Sequence, residues 1–204
     1  ASARSAGRKI LFRGEEHVVQ ELGHDSFKGV DIALFSAGGA LSLEYGPSAA
    51  KVGAVVIDNS SAFRMDPEVP LVLPEVNPAA AQTRPKGIIA NPNCTTIITM
   101  MGLNPLHQKF GLRSIIASSY QAVSGSGQAG IEELDGQVQA LTEGKAEIPQ
   151  EVYPQQIAFN VIPHVDQFVE GGYTREELKM VNESRKILGL PDLKVTCTCV
   201  RVPV

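Results

Sequence analysis

Short apolar runs separated by a glycine turn and a helical stretch organise the first half of the chain. A β-type run at 30–35 leads into the glycine turn at 36–39, which is followed by a helical pattern over 40–51. A second apolar run then covers 54–58. Strand, turn, helix and strand in this order predict one βαβ unit of a parallel sheet. The same apolar pattern predicts two further short strands, at 71–73 and 88–90.

The pattern changes after Cys94, where helices and strands no longer follow one another in regular βαβ order. A helix is expected from Cys94 to about Phe110, and alternating residues predict a strand over 113–120. The glycine–serine repeat at 124–127 predicts a flexible loop. A further helix is expected over 131–142. This irregular order of helices and strands favours an α+β second domain.

The last helix and the last strand have the clearest local signals. Thr174 is expected to be the N-cap of a helix that runs to Leu188, and Glu177 completes a capping box. Gly189 is expected to end that helix. A final strand begins at Lys194 and continues to the end of the chain.

Composition places the chain among ordinary globular proteins. It has 204 residues, of which 43% are hydrophobic and 20% charged, and its net charge is −4. Because no basic face dominates, nucleic acid is not expected as a partner. No apolar run is long enough to span a bilayer and no signal-peptide pattern is present, so a membrane is not expected as a partner either.

The three cysteines do not have the spacing of a disulfide scaffold, which favours a reducing, cytoplasmic environment. Cys197 and Cys199 alternate along the predicted last strand and would share one face. A metal pair is imaginable there, but no second pair of ligands follows in the sequence. We therefore expect both thiols in the core of the fold, and no metal site.

The two ends of the chain suggest an internal fragment of a longer enzyme. The sequence begins without methionine in a polar segment and stops inside an apolar strand at Val204. A core strand that stops there would leave a neighbouring strand unpaired. The fingerprint G-x-G-x-x-G is absent, so the first strand and phosphate loop of a dinucleotide-binding domain would lie upstream of Ala1.

The most informative segment is Asn91-Pro92-Asn93-Cys94-Thr95-Thr96. It predicts a strand, a tight turn and a helix that carries a cysteine in its first turn, with Asn93 as a possible cap. Unpaired backbone N–H groups and the helix dipole favour the thiolate at such a position. Cys94 is then a candidate nucleophile. The alternative is a small buried structural cysteine, and the hexamer alone does not decide between the two.

Other candidate groups also follow predicted strands. The turn Ser36-Ala37-Gly38-Gly39 lies where ligands bind in open α/β sheets, although glycine there also has purely conformational uses. Arg4 and Ser5 are candidates for holding a phosphate, with a solvated basic terminus as the alternative. Arg64 is a candidate for binding an anion, or forms a surface ion pair.

Four polar residues in the second half complete the set of candidates. Gln121, at a strand end, could orient a substrate or the amide group of a nicotinamide. The alternative is an ordinary loop glutamine. Glu176 and Lys179 share a helix face, where a solvated ion pair is the ordinary interpretation. Arg201 stands among apolar neighbours on the last strand and requires a carboxylate or phosphate partner.

Taken together, the motifs resemble the bacterial aspartate-β-semialdehyde dehydrogenase family nearly from end to end. Besides the cysteine hexamer, the resemblance covers the segments ASARSAG at 1–7, LFSAGG at 34–39, VIDNSSAFRM at 56–65, PEVN at 74–77, YQAVSG at 120–125, EELK at 176–179 and CVRVPV at 199–204. It implies an α/β fold in which a partial Rossmann-like NADP-binding domain, residues 1–93, precedes a partial α+β catalytic and dimerisation domain, residues 94–204. It also implies a homodimer.

The resemblance implies roles for individual residues. Cys94 would carry the acyl group as a thioester, and Gln121 would orient the substrate. Arg201 would bind the substrate α-carboxylate and Glu176 the amino group. The remaining roles are phosphate binding by Arg64, Lys179 and Asn93, contacts to the NADP 2′-phosphate by Arg4 and Ser5, and further cofactor contacts by Ser36, Ala37, Gly38, Gly39, Ser124 and Gly125.

The implied reaction interconverts aspartate semialdehyde, phosphate and NADP⁺ with β-aspartyl phosphate and NADPH, on the way to lysine, methionine and threonine. The family's glycine-rich loop and its catalytic histidine, expected shortly past Arg201, are missing, so the fragment alone is not expected to turn over. Two alternatives remain. One is N-acetyl-γ-glutamyl-phosphate reductase, whose cysteine motif usually has glycine at the position of Asn93. The other is a non-catalytic interaction module with the same fold.

Overall fold

The computed structural model describes all 204 residues, Ala1–Val204, in two compact units. The first unit is Ala1–Pro92 and the second is Asn93–Val204. None of the helices combines the length and the hydropathy needed to cross a bilayer.

The first unit opens with a β-hairpin that the sequence did not predict. Strand β1, Lys9–Phe12, pairs antiparallel with β2, Glu15–Val18. Both residues of the turn between them, Arg13 and Gly14, have positive φ, at 52° and 85°. Such a turn follows the right-handed twist of paired strands. Every residue of both strands is exposed, so no alternation of buried and exposed positions marks them in the sequence.

The predicted βαβ unit is present in the first unit. Strand β3, Ile32–Phe35, is followed by helix α1, Gly39–Lys51, and by β4, Val55–Asp58. Strand β5, Ile88–Ala90, lies on the other side of β4, and all three strands are parallel. Because Phe35, Asp58 and Ala90 lie side by side in the register, the residues that follow them meet at one edge of the sheet.

The strand predicted at 71–73 is wrong, since only Leu71 forms a bridge, to Ala90. Prolines flank this segment at 70 and 74, and they supply no N–H groups to extend a ladder. The side chain of Asn77 satisfies the backbone instead. Its Oδ1 accepts from the N–H of Leu73 at 2.8 Å, and its Nδ2 donates to the carbonyl of Leu71 at 2.9 Å.

The second unit joins two long parallel strands through helices. Its elements are α2 (Cys94–Phe110), β6 (Ser114–Ala122), a short 3₁₀-helix (Val123–Ser126), α3 (Gln128–Thr142), α4 (Arg175–Leu188) and β7 (Lys194–Val202). Strands β6 and β7 pair over their whole length. The register sets Gln121 directly beside Arg201.

One face of this strand pair is covered and the other is open. Cys197 and Cys199 pack with Val165 and with Met180 of α4 in a buried apolar cluster. This confirms that the two alternating thiols belong to the core. Ile116 and Tyr120 project from β6 on the other side, and both are well exposed.

The flexible loop predicted at 124–127 is also wrong, since Val123–Ser126 forms a 3₁₀-helix. Val123 is buried in a cluster with Tyr153, Ile157 and Ile162, and its carbonyl accepts from the Tyr153 hydroxyl at 3.2 Å. Burial of Val123, the first residue of this 3₁₀-helix, therefore orders a segment whose glycine and serine content predicts flexibility.

Helix α4 has the predicted ends. The Thr174 hydroxyl accepts from the N–H of Glu177, and the Glu177 carboxylate accepts from the N–H of Thr174, which forms the capping box. Gly189 ends the helix in a left-handed conformation. Between these ends, three carboxylates are buried on α4, those of Glu176, Glu177 and Glu183.

Candidate active site

Cys94 is the first residue of α2 and is exposed, as the nucleophilic interpretation requires. Asn93 is the N-cap, and its Oδ1 accepts from the N–H of Thr95 at 2.9 Å. This cap satisfies one of the helix's free N–H groups and fixes the entry of the chain into α2. The thiol is consequently held at the positive end of the helix without being packed into the core.

A cavity of about 550 Å³ in the second unit brings several of the candidate residues together. Cys94, Gln121 and Arg201 line it, together with Ser124 and Gly125. A nucleophile, an amide and a guanidinium therefore face one space that is large enough for a small substrate and part of a larger cofactor.

Arg201 is buried in the wall of this cavity, with 6% of its surface exposed. Its Nη1 donates to the carbonyl of Ala122 at 2.6 Å, and no carboxylate lies within ion-pair distance of the guanidinium. A Cβ added at Gly125 would lie 2.7 Å from Nη1, so only glycine leaves the guanidinium its place. A buried cation without a counterion provides a site for an anionic group.

Gln121 is held from two sides. Its Nε2 donates to Oε1 of Glu176 at 3.2 Å, and its Oε1 accepts from the Ser119 hydroxyl at 3.1 Å. These bonds link the end of β6 to α4 and fix the orientation of the amide.

Glu176 is the centre of a buried hydrogen-bond network. Besides Gln121, the Nδ2 of Asn93 donates to its Oε1 at 3.1 Å, and Lys179 pairs with its Oε2 at 2.8 Å. Burial opposes ionisation of this carboxyl, but the hydrogen bond and charge of Lys179 outweigh it and lower the pKa of Glu176. The carboxylate therefore stays charged and connects α4 to both Asn93 and Gln121.

Lys179 is shared between two carboxylates, since Asp166 also lies 3.0 Å from its Nζ. Burial works to lower the pKa of Lys179, but the hydrogen bonds that its ammonium donates to Glu176 and Asp166 outweigh it and raise that pKa. The ammonium expected to hold phosphate is thus engaged by two protein anions in this structure.

This network predicts a pH-dependent loss of stability. The folded-state pKa of Glu176 lies below its ordinary value of 4.5, so its stabilisation is present above about pH 4.5 and is lost as the pH falls through the folded pKa. From pH 6 to pH 3 we expect the wild type to lose roughly 1 kcal/mol more unfolding free energy than Glu176→Gln. Denaturant unfolding at each pH measures this.

The matched control for that comparison is Glu132→Gln, at an exposed glutamate on α3. It should follow the wild-type curve. Identical pH slopes for the wild type and Glu176→Gln would contradict the prediction.

The candidates in the first unit gather at the carboxyl edge of the parallel sheet. Ser36 follows β3 and accepts from the Asn59 amide at 3.3 Å. Arg64 is buried, and it donates from Nε to the carbonyl of Asn91 and from Nη2 to the carbonyl of Asn59. The arginine is accordingly held against the ends of β4 and β5.

The turn that enters α1 has the geometry needed for close approach of a ligand. Gly38 has a φ of 96°, which side-chain-bearing residues rarely adopt, and no side chain caps the first turn of α1. The residues at this edge therefore fit a phosphate group of a dinucleotide. Arg4 and Ser5 belong to a turn in which the N–H groups of Ser5 and Ala6 donate to the carbonyl of Ser2.

The sequence analysis did not single out two residues of the second unit that contact the candidate site residues. Asp166 holds Lys179 from an irregular segment and has a φ of 68°. Glu183 accepts from the backbone N–H of Asn93 at 2.7 Å, across 90 residues of sequence. The positions of Glu176 and Glu183 two turns apart on one helix face were a usable signal, whereas nothing local marks Asp166.

Two family models match the chain. The semialdehyde dehydrogenase NAD-binding domain matches residues 1–84, and the semialdehyde dehydrogenase dimerisation domain matches residues 103–204. This order confirms the predicted fold class, in which a partial Rossmann-like domain precedes a dimerisation domain.

Individual relatives agree with these models. The aspartate-semialdehyde dehydrogenase of Aquifex aeolicus is 54% identical over 206 residues, which cover 100% of this chain and 61% of the relative. The chain spans about 60% of the length of the curated relatives it matches.

The chain is also similar to two solved structures that are described with a ligand. A Vibrio cholerae aspartate semialdehyde dehydrogenase II complexed with ASA has 50% identity and a TM-score of 0.94, covering 100% of this chain and 60% of that one. A Candida albicans aspartate semialdehyde dehydrogenase with NADP has 25% identity and a TM-score of 0.69, covering 100% and 59%. The motif-based resemblance is thereby confirmed.

Proposed function

The chain belongs to the semialdehyde dehydrogenase family, and from that premise we propose that it contributes the catalytic cysteine of an aspartate-semialdehyde dehydrogenase. The reaction is the NADP-dependent, phosphorylating oxidation of aspartate semialdehyde, run in reverse for lysine, methionine and threonine biosynthesis. Relatives of that name match the whole chain at 54% and 52% identity.

The observation that carries this proposal is the pairing of Cys94 with Arg201 in one cavity. Arg201 is buried and has no carboxylate partner among residues 1–204, so it provides a binding site for the α-carboxylate of an amino-acid aldehyde. Cys94 is exposed beside it. A substrate held through its carboxylate would place its aldehyde carbon near the thiol, and such positioning accounts for a large part of catalysis.

The proposed reaction proceeds through a thioester. The Cys94 thiolate attacks the aldehyde carbon and forms a thiohemiacetal. A bound NADP⁺ would supply the hydride acceptor that oxidises this carbon to the thioester. Phosphate oxygen then attacks the thioester carbonyl, the C–S bond breaks, and β-aspartyl phosphate and the free thiolate result.

Neighbouring side chains support these steps. Gln121 orients the substrate, and Glu176 binds the substrate amino group with a carboxylate that is kept ionised. Asn93 and Lys179 are proposed to bind phosphate in the second unit, and Arg64 is proposed as a phosphate-binding residue of the first. The ammonium of Lys179 is paired with both Asp166 and Glu176 in this structure. An incoming phosphate would therefore have to displace Asp166 from the ammonium or share the ammonium with it.

The cofactor site is proposed at the carboxyl edge of the parallel sheet. Ser36, Ala37, Gly38 and Gly39 fit a phosphate because of the open first turn of α1. Arg4 and Ser5 are proposed to contact the 2′-phosphate that distinguishes NADP from NAD. In the second unit, Ser124 and Gly125 are proposed as further cofactor-contacting residues. The matching dimerisation domain supports a homodimer.

Thiol reactivity tests the proposal. We expect iodoacetamide near neutral pH to alkylate Cys94 at least about 10-fold faster than Cys197 or Cys199, because Cys94 is exposed whereas the other two thiols are buried. The hydrogen bond with Cys199 and burial raise the pKa of the Cys197 thiol, which keeps it protonated. The same bond lowers the pKa of Cys199, but that thiol is buried, with 1% of its surface exposed, and is shielded from the reagent. Peptide mass spectrometry of the full-length protein measures each rate.

Protection by ligands provides the control for this experiment. Aspartate semialdehyde should slow alkylation of Cys94, whereas N-acetylglutamate semialdehyde should not. Equally slow alkylation of all three cysteines would refute the proposed nucleophile, and protection by the acetylated compound alone would refute the proposed substrate.

A further inference from the structure

The N-cap that positions the candidate nucleophile is itself held by a helix distant in sequence. Asn93 uses three polar groups: Oδ1 accepts from Thr95, Nδ2 donates to Glu176, and the backbone N–H donates to Oε2 of Glu183. All three bonds are between 2.7 and 3.1 Å. Two of the three lead to α4, so the position of the Cys94 turn depends on that helix.

Glu183 differs from Glu176 in its surroundings. It does not line the cavity that contains Cys94, and only 1% of its surface is exposed. A carboxylate buried to this degree is costly unless its oxygens accept hydrogen bonds. Its bond to the N–H of Asn93 is the shortest of the three at the cap. Glu183 is therefore not expected to contact a substrate in the cavity, and its bond to the N–H of Asn93 is the contact that leads to the Cys94 turn.

We infer that Glu183 is a positioning residue for Cys94, acting through the backbone of Asn93. This inference rests on the proposed role of Cys94 as the nucleophile. Without the acceptor, the N–H of Asn93 is left buried and unpaired, and the turn shifts to find another partner. Because Cys94 is the next residue, its thiol shifts with the turn. A displacement of about 1 Å at a reacting group can cost about 100-fold in rate.

Two conservative variants of Glu183 test whether the length of its side chain or its charge holds Asn93. Glu183→Gln keeps the length of the side chain and one acceptor oxygen, while Glu183→Asp keeps the charge but withdraws the oxygen by one methylene. We expect Glu183→Gln to retain kcat within about 5-fold of wild type. Glu183→Asp should lose at least about 10-fold in kcat with KM little changed, since the bond to Asn93 is lost.

The control is Ser184→Ala, at the neighbouring buried position of α4, whose hydroxyl bonds only to the carbonyl of Val181. It should keep the wild-type kcat even where its melting temperature falls. The opposite order of the two glutamate variants, equal loss in both, or wild-type kcat in both would overturn the inference.

Amide hydrogen exchange at Asn93 provides a readout that is independent of catalysis. Exchange should speed up at least about 10-fold in Glu183→Asp and stay near wild type in Glu183→Gln. If exchange follows this pattern but Cys94 fails the alkylation test above, the proposed function fails while the anchoring of the cap stands. Unchanged exchange in Glu183→Asp overturns the anchoring itself.

Discussion

Replacing Cys94 with serine is expected to lower kcat of the full-length protein by about 10⁴-fold, the loss typical of removing a catalytic nucleophile. A serine hydroxyl is not ionised near neutral pH, and an oxygen ester exchanges with phosphate more slowly than a thioester does. Cys94 is exposed and makes no core contact, so the fold should be unaffected. Steady-state assays with aspartate semialdehyde, phosphate and NADP⁺ measure the change, and circular dichroism checks the fold.

The matched control is Gln108→Ala, an exposed position in the last turns of the same helix. It should leave kcat within about 2-fold, because surface changes away from a site have small effects. A Cys94→Ser variant that keeps a tenth or more of wild-type turnover would contradict covalent catalysis by this residue.

The second large effect concerns Arg201, where binding and stability should change in opposite directions. Arg201→Leu is expected to raise KM for the aldehyde by about 30-fold or more, since breaking a buried charge pair costs about 2–5 kcal/mol. In the ligand-free protein the same change removes a buried cation that has no carboxylate partner, which removes a desolvation cost. The melting temperature should therefore stay level or rise.

Arg113→Leu controls for the loss of one positive charge, because Arg113 is exposed just before β6. It should change neither KM nor melting temperature appreciably. If Arg201→Leu lowered the melting temperature by several degrees and left KM at its wild-type value, the arginine would be structural, and the proposed carboxylate site would be lost.

Local chemistry explains what the sequence could predict. The βαβ unit, the start of α2 at Cys94 and the capped ends of α4 all depend on residues within a few positions of one another. Thr174 and Glu177 form the expected box because both partners lie in one helical turn. In the same way, the alternation of Cys197 and Cys199 was sufficient to assign them to the core.

Contacts between distant segments explain what it could not predict. The strand expected at 71–73 was replaced by bonds from the side chain of Asn77, and the loop expected at 124–127 was ordered by the burial of Val123. Neither the bonds from Asn77 nor the burial of Val123 can be predicted from a local sequence pattern. The position of Gln121 beside Arg201 likewise requires the register of two strands that are separated by two helices.

The capping box at Thr174 and the stop at Gly189 fix the length of α4, and this limits how the chain can change in length. One residue inserted between Glu176 and Glu183 would rotate the later carboxylate by about 100° around the helix axis and move it along by about 1.5 Å. The two acids could then no longer bond to the same asparagine. Insertions and deletions among natural or engineered variants should therefore be absent from this interval, while the exposed segment 143–147 that follows α3 should accept them.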